Sequence, residues 1–246
     1  MRGNNPKKRD MMNSLSISFV LPMFNERDNI RHTIGAIKSL AGELTGDYEI
    51  VVVDDASTDD SSAIVEEMAK SDNTIKLFCL ERNTKFGGAF AEGFKRAGKD
   101  VILYMDSDMP VRTEDIKASF PLIENADVVT GYSKVKKGDT AGRKIISGAY
   151  NLVVQVLFGL NIKDINSGYK IVKKDVVRDV EFISRSPFVD VELFLHAKRK
   201  GCRVRQFPLI FIQRSGGKSY IARFPIVWAT FVDMIKVKIL LCRKPA

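Results

Sequence analysis

Short apolar, β-branched runs alternate with longer amphipathic stretches through the first half of the chain. The runs at 16–21, 48–53, 75–80 and 101–105 read as buried strands, being continuous, apolar and bounded by turn residues. The stretches at 29–41, 62–70 and 87–97 read as helices. Ser57, Thr58, Asp59 and Asp60 supply capping oxygens before the second helix, and the Gly87-Gly88 pair opens the third. Pro22 closes the first strand. Strands alternating with helices predict a parallel, doubly wound sheet. Right-handed crossovers then bring the strand ends to one edge, where such sheets bind ligands. Asn25, Asp54, Asp55, Asp106 and Asp108 follow those ends and would cluster there.

The second half is less regular. Strands are predicted at 127–131, 167–172 and 204–212. Helices are predicted at 145–160, ended by Gly159, and at 191–200, and the segment 134–139 reads as a polar loop. Residues 224–242 are largely apolar but interrupted by Asp233, Lys236 and Lys238, and central charges of this kind are costly in a spanning helix. Trp228, Phe231, Val232, Ile235, Ile239 and Cys242 fall on one helical stripe. Flanked by Arg223, Arg243 and Lys244, that stripe suits the interface of an anionic membrane, and it suits equally a helix packed on the protein's own core.

Composition narrows the field. The chain has 246 residues, 45% of them hydrophobic, enough for one sizeable core. Its three cysteines, Cys79, Cys202 and Cys242, form no CxxC pair, so neither a disulfide framework nor a zinc site is indicated and reduced, cytoplasmic thiols are expected. Only His32 and His196 are present, which argues against histidine-based catalysis. Residues 1–13 are polar and basic, lack an apolar run after the charges, and read as a disordered tail. The net charge of +9 is unevenly placed: 12 of the 39 basic residues lie in the last 49 positions beside a single acid, Asp233. Such a patch suits a membrane surface, nucleic acid or a phosphorylated substrate.

The chemistry concentrates in Asp106-Ser107-Asp108. Two carboxylates at i and i+2 past a strand end repel each other unless they share a cation. Oxygen ligands favour Mg²⁺ or Mn²⁺, which pair one or two carboxylates with substrate phosphates. A solvated Asp-Ser-Asp turn is the plainer reading of the same residues.

Taken together, three motifs resemble the family 2 glycosyltransferases, and among them the dolichyl- or polyprenyl-phosphate hexosyltransferases: Leu21-Pro22-Met23-Phe24-Asn25-Glu26, Val51-Val52-Val53-Asp54-Asp55-Ala56-Ser57-Thr58-Asp59, and Asp106-Ser107-Asp108. The resemblance covers about residues 15–219. It implies a GT-A, Rossmann-like α/β fold with a mostly parallel sheet flanked by helices, spanning 14–220; the stripe and charges after it read as a basic amphipathic membrane-proximal helix at 221–246. It implies donor-nucleotide binding by Pro22, Asn25, Glu26, Asp54 and Asp55, and diphosphate and metal binding by Asp106 and Asp108, with Mg²⁺ or Mn²⁺ as cofactor. Pro110 stands where mannosyl-transferring members often carry a glutamine ligand, and Lys85 stands where glycine is usual.

The second half resembles the acceptor side of these enzymes. Arg143-Lys144-Ile145-Ile146-Ser147 is similar to their Arg-x-x-x-Ser element, Asp164 to Lys170 to their Asp-x-x-Ser-Gly-Phe-Arg signature, and Arg214 to Ser219 to their Arg-x-x-Gly-x-Ser loop. The resemblance implies that Arg143, Ser147, Arg214 and Lys218 receive a lipid phosphate; guanidinium groups match phosphate oxygens bidentately.

The implied reaction moves a hexosyl group, with inversion, from a nucleotide sugar to a polyprenyl phosphate. GDP-mannose is the favoured donor; the Asp190-Val191-Glu192-Leu193 run looks more like glucosyl-transferring relatives, so UDP-glucose stays open. An anionic phosphate needs no general base, whereas a sugar-hydroxyl acceptor would need a carboxylate such as Asp190 or Glu192. Glu192 is a candidate either for catalysis or for fixing the phosphate-binding loops. The expected partners are the nucleotide sugar, the polyprenyl phosphate, an anionic membrane surface and a membrane protein, but not nucleic acid. The expected location is the membrane's cytoplasmic face. A non-catalytic membrane-binding protein on a transferase scaffold is the remaining alternative.

Overall fold

The computed structural model describes residues 15–133, 141–211 and 224–243, except for the side chains of 141–146, 224 and 241–243. Its centre is a seven-stranded sheet in the order β3-β2-β1-β4-β6-β5-β7. The strands are β1 (Ile17–Met23), β2 (Tyr48–Asp54), β3 (Ile75–Cys79), β4 (Val101–Met105), β5 (Val128–Ser133), β6 (Tyr169–Lys173) and β7 (Val204–Leu209). Strands β1 to β4 are mutually parallel, as the alternating pattern predicts. β6 runs antiparallel to both β4 and β5, and β7 is parallel to β5. Strand direction in the second half was not legible, since a buried strand has the same composition either way.

Helices cover both faces. α1 (Ile30–Leu44), α2 (Ser61–Ser71) and α3 (Lys85–Arg96) follow the first three strands, and α4 (Thr113–Ser119) follows β4. α5 (Ala141–Phe158), α6 (Lys174–Val177), α7 (Val189–Arg199) and α8 (Phe224–Arg243) complete the set. The short α4 and α6, and the 3-10 turn Phe120–Asn125, carry too few turns for a sequence period to show. One core layer joins Phe19, Leu21, Ile50 and Val52 to Ile34 and Ile37 of α1. The other joins Val20, Val51 and Tyr104 to Phe90 of α3, Phe194 of α7 and Val237 of α8. Each fully buried aliphatic side chain of these layers contributes roughly 1.5–3 kcal/mol.

Two boundaries differ informatively from the sequence pattern. β1 continues through Pro22, which pairs with Val53 of β2, because the β1–β4 ladder has already ended at Val20 opposite Tyr104; a missing N–H costs little where one side of a strand is unpaired. β6 starts at Tyr169 rather than Ser167, because Ser167 and Gly168 pack against the end of β4.

Candidate active site

Parallel pairing sets the first three motifs side by side. Met23 lies opposite Asp54, and the Asp55 amide donates to the Met23 carbonyl at 2.8 Å. The loops after β1 and β2 are then laced together. The Asn25 amide donates to Ser57 Oγ at 2.9 Å, and the Thr58 amide donates to Asn25 Oδ1 at 2.8 Å. The Glu26 amide donates to Ser61 Oγ at 2.9 Å, and Glu26 Oε2 accepts from Asn29 Nδ2 at 2.8 Å. Asp54 is buried, accepting from the Ser57 amide at 3.0 Å and from the Ser62 hydroxyl. Its role in this structure is to hold the loop. Pro22 is half-buried beside it.

Asp55 is also buried, and one carboxylate oxygen accepts the Thr84 amide at 2.6 Å and the Thr84 hydroxyl at 2.8 Å. Burial pushes its pKa above the usual carboxylate value, against the opposing bonds from Thr84 and Lys85. Among the described residues, four non-glycine residues have left-handed backbones: Asn25, Ala56, Lys85 and Met109, with φ of 56°, 60°, 67° and 49°. Asn25, Ala56 and Met109 sit on the loops after β1, β2 and β4, and Lys85 is the first residue of α3. Each conformation costs about 1–2 kcal/mol outside glycine, and such strain collects at functional sites.

Asp106 and Asp108 end β4, both half-buried. Asp106 Oδ1 accepts from the Tyr104 hydroxyl at 3.2 Å, and the Asp106 amide donates to the Gly168 carbonyl at 3.2 Å. A Cβ on Gly168 would collide with the Asp106 carboxylate, so only glycine lets the 167–168 turn back it so closely. Thr33 Oγ donates to the Ser107 carbonyl at 2.8 Å, pinning the turn from α1. Behind it, Tyr104, Lys170 and Thr130 form one row across β4, β6 and β5. Lys170, wholly buried, lies 2.8 Å from Asp190 Oδ1 and donates to the Ser167 carbonyl. Burial, then the charges of Asp106 and Asp190, hold the Tyr104 hydroxyl protonated far above its usual range. Tyr104 and Lys170 were missed in the sequence; the available signal was a lysine inside an otherwise apolar strand.

The two carboxylates suit a hard cation. Among the described residues no set of three His, Cys, Asp or Glu converges to hold a metal ion.

The second-half candidates are differently placed. Glu192 is buried on α7, with its two carboxylate oxygens accepting the Ile183 and Ser184 amides at 2.8 and 2.9 Å. Burial alone would raise its pKa; bonds from His196 and the two amides hold it below the usual value. Asp190 is buried in its pair with Lys170, and burial pushes its pKa up. Arg143 lies in the first turn of α5, with Ser147 one turn on and half-buried. Arg214 and Lys218 lie outside the described residues. The described chain before them reaches Phe211, bridged to Val111 just past Asp108.

Residues 18–181 match the family model described as Glycosyl transferase family 2. The chain belongs to glycosyltransferase family 2. As a member it is a nucleotide-sugar-dependent transferase, and its resemblance to polyprenyl-phosphate hexosyltransferases holds among curated relatives. The transferase is 30% identical over 212 residues to an undecaprenyl-phosphate mannosyltransferase of Micrococcus luteus, covering 81% of this chain and 85% of the relative. It is 26% identical over 225 residues to a polyprenol monophosphomannose synthase of Mycolicibacterium smegmatis, covering 86% and 83%. Among solved structures, glucosyl-3-phosphoglycerate synthase from Mycobacterium tuberculosis, in complex with phosphoglyceric acid, superposes with a TM-score of 0.73 at 17% identity over 96% of this chain and 85% of that one. That likeness establishes the GT-A-like fold.

Proposed function

We propose that this transferase moves a hexosyl group, with inversion, from a nucleotide sugar to a polyprenyl phosphate, with mannose from GDP-mannose as the favoured donor. The observation that carries the reading is the one sheet edge to which the parallel strands β2 and β4, flanking β1, deliver Asp55, Asp106 and Asp108. Relatives named for undecaprenyl-phosphate and polyprenol substrates support the acceptor class. Asp106 and Asp108 would hold Mg²⁺ or Mn²⁺, which supplies charge neutralisation at the departing diphosphate. A solved neighbour with Mn²⁺ and uridine diphosphate bound supports that expectation. Pro22, Asn25, Glu26, Asp54 and Asp55 shape the nucleotide pocket, directly or by holding its loops. Arg143, Ser147, Arg214 and Lys218 would orient the acceptor phosphate.

A phosphate acceptor also fits what the second-half carboxylates do. Asp190 is buried in an ion pair and Glu192 is bound by two amides, so neither is placed to deprotonate a sugar hydroxyl. Glu192 then serves as a positioning residue for the 183–186 turn.

The acceptor lives in a membrane, and two neighbouring helices offer an outward apolar face. Leu152 and Val156 of α5 and Trp228, Phe231, Ile235 and Ile239 of α8 are exposed. Lys238 Nζ donates to the Leu157 carbonyl at 2.8 Å, joining the two helices. Among the described residues no helix is long and apolar enough to cross a membrane. We assign this face, with its basic surroundings, to peripheral docking on an anionic membrane surface.

The test is to incubate the protein with Mg²⁺ or Mn²⁺, polyprenyl phosphate and labelled GDP-mannose or UDP-glucose, then extract the lipid. Label in the organic phase that disappears in Asp108→Ala is expected. Label only in water-soluble product would overturn the acceptor. Flotation with anionic vesicles at low salt tests the docking face; a protein that stays with the soluble fraction refutes it.

A further inference from the structure

The turn at 183–186 presents four consecutive backbone N–H groups, and two carboxylates from different helices accept all four. Ile183 and Ser184 donate to Glu192 of α7 at 2.8 and 2.9 Å. Arg185 and Ser186 donate to Asp233 Oδ2 of α8, each at 3.0 Å. Asp233 is buried on the inward side of α8, opposite the exposed apolar face, one turn before the buried Val237. Its other oxygen lies 3.8 Å from Lys236.

The turn is seated in its own right on the start of α3. The Gly87 amide donates to the Arg185 carbonyl at 3.0 Å. A Cβ on Gly87 would collide with the Ser184 carbonyl, so turn and helix touch backbone to backbone. Thr84, the residue just before α3, delivers both of its bonds to Asp55. A guanidinium nitrogen of Arg185 comes within 3.1 Å of the position a Cβ on Gly88 would take, on the side also occupied by Thr84.

We infer that Asp233 is a positioning residue for the donor-nucleotide pocket. It fixes the 183–186 turn; the turn fixes the first residues of α3; and these hold Thr84 against Asp55. α8 is therefore part of the donor-binding machinery on its inner side while its outer side faces away from the core. The inference rests on the proposed role of the Asp55 edge in nucleotide binding. A buried acceptor serving stability alone would give the same hydrogen bonds but no link to nucleotide affinity.

Nucleotide binding separates the two, and it needs no acceptor lipid. The full chain, with Mn²⁺, is titrated calorimetrically with UDP and with GDP, for the wild type, Asp233→Ala, Asp233→Asn and Gly87→Ala. Asp233→Ala leaves two amides of the turn unsatisfied and is expected to weaken the bound nucleotide roughly tenfold, the scale of coupling through a packed contact. Asp233→Asn keeps an accepting oxygen and is expected to stay within about threefold. Gly87→Ala presses the same turn from the α3 side and is expected to weaken binding as Asp233→Ala does; it carries the test if Asp233→Ala does not fold. Wild-type affinity in Asp233→Ala or Gly87→Ala overturns the inference, as does an equal loss in Asp233→Asn. A wild type that binds neither nucleotide overturns the donor-pocket reading and this inference with it. Normal nucleotide binding without lipid product counts against the acceptor alone.

Discussion

Asp55 and Asp106 follow strand ends; Asp55 accepts the Thr84 amide and hydroxyl, and Asp106 accepts the Tyr104 hydroxyl while its amide donates to the Gly168 carbonyl. Asp190, Glu192 and Asp233 instead lie within helices, nearly wholly buried, against a lysine or consecutive backbone amides. The residue type is shared, but the first group faces the edge where a ligand would lie and the second braces the structure behind it. A carboxylate's position relative to the sheet edge, more than its place in a motif, separates a ligand-facing group from an internal support. In the Asp190-Val191-Glu192 run both carboxylates are supports: Asp190 pairs with a strand lysine and Glu192 accepts two loop amides.

The largest expected effect probes the strand-end group through Asp108, which follows β4 beside Asp106. Asp108→Ala should lower kcat/KM for transfer by about 10²–10³-fold, the scale of losing a charge-stabilising group, while the denaturant midpoint moves little. A large loss of stability at normal activity would break the distinction. The second group should show the reverse. Asp190→Leu leaves Lys170 buried without its partner and should cost roughly 3–5 kcal/mol in urea unfolding. The double change Asp190→Leu with Lys170→Met should recover much of that loss, because two apolar groups leave no buried charge.

A smaller effect sharpens the strain argument at the edge itself. Lys85→Gly should stabilise the fold by about 1 kcal/mol, since glycine adopts the positive φ freely. Thermal unfolding checks it, and a destabilised variant would mean that Lys85 makes contacts worth more than its strain. The smallest effect comes from Asp72, remote from both groups, 2.5 Å from Lys38. The Lys38 and Thr74 bonds hold its pKa down from 3.8 to about 2. A depressed folded-state pKa contributes stability that is present above pH 3.8 and lost as pH falls through about 2. Asp72→Asn should therefore cost up to about 1 kcal/mol near pH 7, and the difference from wild type should vanish as the pH approaches 2.

Much of the candidate edge was legible because parallel strands joined by right-handed crossovers place their ends together, so Asn25, Asp54, Asp55, Asp106 and Asp108 could be brought to one edge from periodicity and connectivity. The supports behind them were not. Lys170 and Asp190 are 20 positions apart in sequence, and Arg185 and Asp233, 48 positions apart, are brought into hydrogen bonding only by the fold. Residues 224–242 show the same limit. Their stripe left membrane and core as equal readings, and the folded helix has both an exposed apolar face and an inner face holding Asp233 and Val237.

By itself the sequence determined the alternation of strands and helices in the first half, the parallel pairing there and the gathering of Asn25, Asp54, Asp55, Asp106 and Asp108 at one edge. These follow from local hydrophobic period and chain connectivity, which are properties of neighbours along the chain. Only the tertiary structure decided the antiparallel β6, the seating of Gly168 under Asp106 and of the 183–186 turn on α3, and which carboxylates became supports. Those depend on which distant groups exclude water from one another, and burial of that kind exists only once the chain has closed on itself.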